Sequence, residues 1–292
     1  QLSLGHYTSA KSMSLLSEES GRVNEMPRTD SQNSVIASIH RLQITGNEDD
    51  IRPRQSYLPF TVRLVRTKDQ LERVVTLRSA VYAKRLPSLA RALASAETED
   101  VFRDSIILLA ESKETSAPVG TLRIRSNLHG PIEFERELNL PDRYRGQSIA
   151  HVSRLGVIGG YAGVQVKLAL FKALYRYCLA TQIEWIMATA IPPRDRDYLR
   201  LMFDDVFPDG ALIALPSSTG IPARLLAFNV RTAEQRWREA SHPLYDFMCN
   251  QVHEDIRIFD SVSGAWAISR AARWRGPASG SPSGLTFDIP VV

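Results

Sequence analysis

Along the chain the apolar positions change period repeatedly between residues 61 and 251. Residues 61–67 alternate as a half-buried strand does, and residues 68–85 set Leu71, Val74, Val75, Arg78 and Tyr82 at helical spacing. Two more strands are predicted at 105–111 and 119–126, joined by a polar turn around Lys113 to Pro118. A β-type run at 149–158 ends in a Gly159-Gly160 turn, after which a helix is predicted at 164–181. A strand at 184–191, a short helix at 194–202, strands near 211–215 and 223–230, and helices at 233–239 and 244–251 complete the pattern. This order predicts an α/β fold with a mixed central sheet flanked by helices. The chain shows no internal repeat.

Both ends break the pattern. Residues 1–57 are rich in Ser, Asn, Asp and Glu without a sustained period, which predicts a flexible N-terminal extension, with a short helix possible at 35–42. Residues 261–292 include a Gly/Pro/Ser run and read as a flexible tail. The domain is therefore expected at 58–260. At 292 residues and 43% hydrophobic content the chain can bury a substantial core. No apolar run is long enough to cross a membrane and no leader pattern opens the sequence, so a cytoplasmic protein is expected.

Charge and cysteine content exclude several classes. The net charge is +4, and residues 1–57 carry six Lys/Arg against seven Asp/Glu, so the positive excess lies in the remainder. No block of like charge resembles a nucleic-acid-binding arm, but a moderately basic domain suits an acidic protein partner. Two cysteines, Cys178 and Cys249, make neither a disulfide framework nor a metal cluster, and the six histidines lack ligand spacing. No metal site is expected. No G-x-S-x-G elbow supports a hydrolase.

Several short motifs stand in a telling order. Arg78-Ser79-Ala80-Val81-Tyr82 closes a predicted helix, and Asp100-Val101-Phe102-Arg103-Asp104 precedes a strand. Val119-Gly120-Thr121-Leu122-Arg123 lies in the next strand, and His151-Val152-Ser153-Arg154-Leu155-Gly156-Val157 forms the central one. In this order, over about residues 61–250, the chain resembles the N-acyl amino acid synthases of the FeeM type and the LuxI-type acyl-homoserine lactone synthases, autoinducer synthases of the GNAT superfamily. The resemblance implies a GNAT-like acyltransferase fold and a transferase that moves a fatty acyl group from acyl carrier protein to an amino acid acceptor, tyrosine being a plausible one. It implies no cofactor, the acyl-phosphopantetheine on the carrier protein being a co-substrate.

Acyl transfer to an amine needs a deprotonated nucleophile, a polarised thioester carbonyl and a proton for the leaving thiolate. A bulge near Leu155, Gly156 and Val157 would free a backbone N–H to bind the oxyanion. The resemblance assigns a polar acceptor cluster to Arg78, Asp100, Asp104, Arg123, Ser153 and Arg154. Its acids are spaced Asp-x-x-x-Asp rather than the Asp-x-x-Asp usual in the lactone synthases. His151 stands where the family commonly has Glu and is the expected proton acceptor, with Glu133 and Glu135 in reserve. Tyr198 resembles the tyrosine that protonates the thiolate in many GNAT enzymes. At the helix opening, Gln165 and Lys167 stand where coenzyme A-binding enzymes carry glycines, which favours acyl carrier protein as donor. Lys167, Lys172 and Arg176 could meet its acidic helix. Two alternatives stand beside this reading: an acyl-homoserine lactone synthase, and a non-catalytic module that binds acyl groups or carrier protein.

Overall fold

The computed structural model describes residues 54–84, 86–215 and 220–259. The expected N-terminal extension, apart from residues 54–57, lies outside these residues, as do its helix at 35–42 and the tail from 261 onward.

The strands are β1 (Arg54–Gln55), β2 (Phe60–Leu64), β3 (Ser105–Ser112), β4 (Pro118–Ser126), β5 (Ile149–Val157), β6 (Trp185–Ala190), β7 (Asp204–Asp205), β8 (Leu212–Ile213), β9 (Ala223–Asn229), β10 (Gln251–Val252) and β11 (Ile256–Arg257). The helices are α1 (Lys68–Ala83), α2 (Pro87–Ala92), α3 (Glu133–Glu137), α4 (Gly160–Ala180), α5 (Asp195–Leu199) and α6 (Ala233–Glu239). The main sheet runs β11-β2-β3-β4-β5-β6-β9-β7, with β8 also paired to β9. It is mixed: β5 and β6 are parallel, whereas β2 to β5 run antiparallel in succession and β9 is antiparallel to β6.

Period-two alternation sorts the side chains between the two faces of this sheet. Leu122 and Ile124 of β4, Ala150 and Val152 of β5, and Ile186 and Ala188 of β6 join the main core, which α4 covers with Val166, Leu170 and Leu174. The other face carries two smaller apolar clusters. One is Val74 of α1 with Ile107 and Leu109 of β3. The other gathers Ile132, Phe134 and Tyr144 onto Ile149 and Met187. Between these clusters the face becomes polar, because β4 presents Arg123 and Arg125 there and β5 presents His151 and Ser153. The candidate site lies in that gap.

Local chemistry fixes the helices that frame it. Thr67 caps α1, its hydroxyl accepting from the amide of Gln70 while the Gln70 side chain accepts from the amide of Thr67. Helix α4 begins at Gly160, four residues before the predicted start, and Gly163 sits where a Cβ would come within 2.0 Å of the Ile158 carbonyl oxygen. Gly163→Ala is expected to cost about 1–3 kcal/mol of stability by overpacking against backbone. Urea unfolding of the variant checks this.

The C-terminal segment closes the opposite edge. β1 pairs with β10 and β11 with β2, both in parallel. Residues 54–55 therefore belong to the folded region, although composition placed the domain boundary at 57. The predicted helix at 244–251 is a single π-type turn, Asp246–Asn250. Lys172 is not on an exposed face, as the carrier-docking expectation required. It is 2% exposed, and its ammonium donates to the Phe247 and Gln251 carbonyls and lies 3.0 Å from His253 Nδ1. Lys172 thus ties the turn to α4 and has no surface left to offer a partner.

Candidate active site

The central strand departs from its neighbours on both sides. Along β4, Arg125 stands opposite His151 and Arg123 opposite Ser153, but the next pair is Thr121 with Gly156. Arg154 and Leu155 therefore share one partner position, which makes a β-bulge. Arg154 takes a left-handed conformation, φ 54°, unusual for a residue with a side chain. Along β6 the pairing ends at Val152 with Ala188, although β5 continues to Val157 and β6 to Ala190. The two parallel strands part beyond that point. The Tyr82 hydroxyl donates to the Leu155 carbonyl at 3.2 Å and fixes the bulge from the α1 side.

The fork holds a cleft of ≈ 80 Å³, with Ser153 and Arg154 on one wall, Thr189 and Ile191 on the other, and Leu86 and Ile221 among its apolar lining. A second, smaller pocket of ≈ 30 Å³ adjoins it and is charged, lined by Glu99, Arg123, Arg125, Glu133 and His151 together with Ser153 and Arg154. The bulge therefore sits where an apolar cleft and a charged pocket meet.

An ion-pair network holds this junction. Arg78 donates to both carboxylate oxygens of Asp100, at 2.7 and 2.9 Å. Arg123 reaches Glu97 at 3.1 Å, Asp100 at 3.3 Å and the Ser153 hydroxyl at 3.1 Å. Arg154 grips Glu97 with two parallel bonds of 2.7 and 2.6 Å, the fork geometry that guanidinium favours. Burial is the largest single influence and would raise the Asp100 carboxyl pKa, but Arg78, the Glu97 amide and Arg123 together outweigh it and hold the group below its usual range. Glu97 follows the same pattern, burial being outweighed by Arg154 and then Arg123.

These directions set a pH dependence. A carboxylate whose pKa is depressed on folding contributes stability above its unfolded value and loses it as pH falls through the folded value. The network is therefore expected to support the fold above about pH 4 and to fail below it. In Asp100→Asn one of these carboxylates no longer titrates. Urea unfolding of this variant from neutral to acid pH is expected to show a flatter acid decline than the parent, from a lower starting stability.

The network gathers Arg78, Asp100, Arg123, Ser153 and Arg154, but not every expected residue. Asp104 lies outside it and pairs with His129 instead. The acid in its place is Glu97, which the sequence reading passed over. The spacing Glu97-x-x-Asp100 is the shorter acid spacing, one acid upstream of where it was sought. Asp100 Oδ2 also caps the Glu97 amide at 3.0 Å, so a single turn, Thr98–Val101, positions both acids.

Tyr198 lies on α5 and packs edge-on against Phe203, with ring centroids 5.2 Å apart; burial raises its phenol pKa and it lines neither pocket. The phenol at the cleft is Tyr82, four residues after Arg78 on the same face of α1. That i,i+4 spacing was a readable signal.

His151 lines the charged pocket, but its chemistry differs from the expectation. Its Nε2 lies 3.3 Å from the Thr189 hydroxyl and its ring meets Phe134 edge-on. Burial, followed by the charges of Arg123, Arg154 and Arg125, pushes its pKa down to about 3. Such an imidazole is unprotonated at neutral pH.

Gln165 and Lys167 lie within α4, with Lys167 paired to Asp197 at 2.8 Å. The helix opening itself carries Gly159 and Gly160 and has no side-chain cap.

The chain has an α/β fold: a mixed sheet whose bulged central strand splays from its parallel neighbour, with helices on both faces. No protein-family model matches the sequence, and no curated protein does. Among solved structures, FeeM, an N-acyl amino acid synthase from uncultured soil microbes, is 18% identical, with 65% of this chain and 98% of that chain covered at a TM-score of 0.46. The coenzyme A-dependent acyl-homoserine lactone synthase BjaI is 16% identical, with 68% and 95% covered at a TM-score of 0.46. A GNAT-family acetyltransferase from Staphylococcus aureus Mu50 is 14% identical, with 58% and 99% covered at a TM-score of 0.39. Among the described residues no helix is long and apolar enough to cross a membrane.

Proposed function

We propose that the protein transfers a fatty acyl group from the phosphopantetheine thioester of acyl carrier protein to the α-amine of an amino acid. The observation that carries this reading is the fork between β5 and β6, at whose root an apolar cleft and a charged pocket share Ser153 and Arg154. A thioester laid in the fork would turn its carbonyl oxygen toward the bulge, where residues 153–157 have no partner on β6. Backbone donors of this kind are worth about 10²–10³ in kcat each. The apolar lining suits an alkyl chain. The charged pocket suits a zwitterionic acceptor, with Glu99 and Glu133 lining it on the side of the ammonium. The product would be an amide that keeps a free carboxylate, and no cofactor takes part.

The carrier protein as donor is supported by the positive excess over residues 58–292 and by the ordered motifs. A carrier-protein donor would place the reaction in the cytoplasm. One observation favours coenzyme A instead: the α4 opening at Gly159-Gly160 leaves its amides open to a phosphate. The deciding experiment offers acyl carrier protein and coenzyme A thioesters in parallel, with pooled amino acids and S-adenosylmethionine as acceptors, and weighs the products. N-acyl amino acids formed with higher kcat/KM from the carrier protein are expected. A lactone product, or equal kcat/KM for the two donors, would overturn the acceptor or donor assignment respectively.

A further inference from the structure

We infer that Glu133 is the catalytic base that takes the acceptor's protons, an inference that rests on the acyl-transfer reading. Glu133 opens α3, between the turn after β4 and the Phe134 cluster, and its carboxylate lines the charged pocket beside Ser153 and Arg154. Arg125, opposite His151 on β4, donates to Glu133, while its guanidinium lies 4.4 Å from the centroid of the Phe102 ring. Arg125 is therefore a positioning residue: stacked on one side and bonded on the other, it fixes where the carboxylate points.

The acids around the bulge divide by function. Glu97 and Asp100 are each bonded to arginines and face the network rather than the charged pocket. Glu99 and Glu133 are its two acids, with side chains 31% and 27% exposed. Glu99 lies 4.0 Å from Arg123 at the edge of the network, whereas Glu133 carries the direct guanidinium bond. His151 shares the pocket but is held with Nε2 3.3 Å from the Thr189 hydroxyl and its ring edge-on to Phe134.

The step balances without a further reagent. The acceptor's ammonium gives one proton to the Glu133 carboxylate, which passes it to water. The amine lone pair then forms the C–N bond as the carbonyl π pair moves to oxygen. Glu133 removes the second nitrogen proton, the oxyanion re-forms the carbonyl, and the C–S pair leaves on sulfur, which takes that same proton from Glu133 through water and returns the carboxylate. The net result is one amide, one thiol and one proton released.

Glu133→Gln tests this, with Glu133→Asp as the conservative partner and hydroxylamine, already unprotonated at neutral pH, as a second acceptor. With the amino acid, Glu133→Gln is expected to lower kcat about 10²–10⁴-fold at neutral pH with unchanged donor KM, and the deficit should shrink as pH rises. The charged and titrating groups facing Glu133 are Arg123 and Arg125 of β4, His151 and Arg154 of β5, and Glu99; all are retained in both variants. With hydroxylamine the loss should be much smaller, and Glu133→Asp should recover part of the activity. Parental kcat and pH profile in Glu133→Gln, or an equal loss with both acceptors, would overturn the assignment while leaving acyl transfer intact. A parent that acylates neither acceptor would instead remove the acyl-transfer reading and this inference with it.

Discussion

Replacing Asp100 by alanine is expected to lower the free energy of unfolding by about 3–5 kcal/mol, the loss typical when one partner of a buried ion pair is removed. Arg78 is 1% exposed, and of its donors only Nη1 has a protein partner, so Asp100→Ala leaves a buried guanidinium held only by Glu97 at 4.0 Å. The double variant Arg78→Met/Asp100→Leu separates charge burial from packing. Replacing both charges by apolar groups of similar volume is often neutral or stabilising, so the pair is expected to regain most of the lost stability. Acyl transfer is not expected to return, because Arg123 and the Glu97 turn would lose their anchor. Denaturant unfolding and turnover measured on the same preparations check both halves. A double variant as unstable as Asp100→Ala would show that the network supports the fold by more than mutual neutralisation.

The second large effect concerns the fork. Ala223 closes one side of the apolar cleft and is 6% exposed, so Ala223→Phe would place a ring in the space assigned to the alkyl chain. If the ring displaces about four methylenes at about 0.8 kcal/mol each, long-chain donors lose about 3 kcal/mol, roughly two decades in kcat/KM. Acetyl and butyryl donors, which do not reach that far, are expected to react much as with the parent. Competition between short- and long-chain thioesters gives the ratio directly. A uniform loss across chain lengths, in a variant that melts like the parent, would place the alkyl chain elsewhere.

Much of this architecture was legible because sheet and helix periods are local properties. The strand at 119–126 and the helix at 233–239 agree closely with β4 and α6, since alternation and helical spacing in those stretches are uninterrupted. The features that were not legible depend on contacts between distant segments. Helix α3 is five residues long, too short to show a period, and is held by Phe134 in a cluster that spans residues 132–227. The bulge was expected at 155–157 and lies at 154–155, because its position is set by register with β4 and not by the sequence of β5 alone. Glu97 was missed for a related reason. A carboxylate in a polar stretch looks like solvated surface until Arg123 and Arg154 arrive from two different strands. The role of His151 followed family position, whereas its proton affinity follows from burial first and then from three arginines, all of which only the fold supplies.

Lys172 offers an experimental handle unrelated to catalysis. Burial pushes its ammonium pKa down to about 7, and the group is enclosed by the 246–253 segment. A lysine-directed acylating reagent can reach it only when that segment lifts from α4. The labelling rate of this one native residue, read by peptide mass, therefore reports the local opening of the C-terminal edge without any engineered probe.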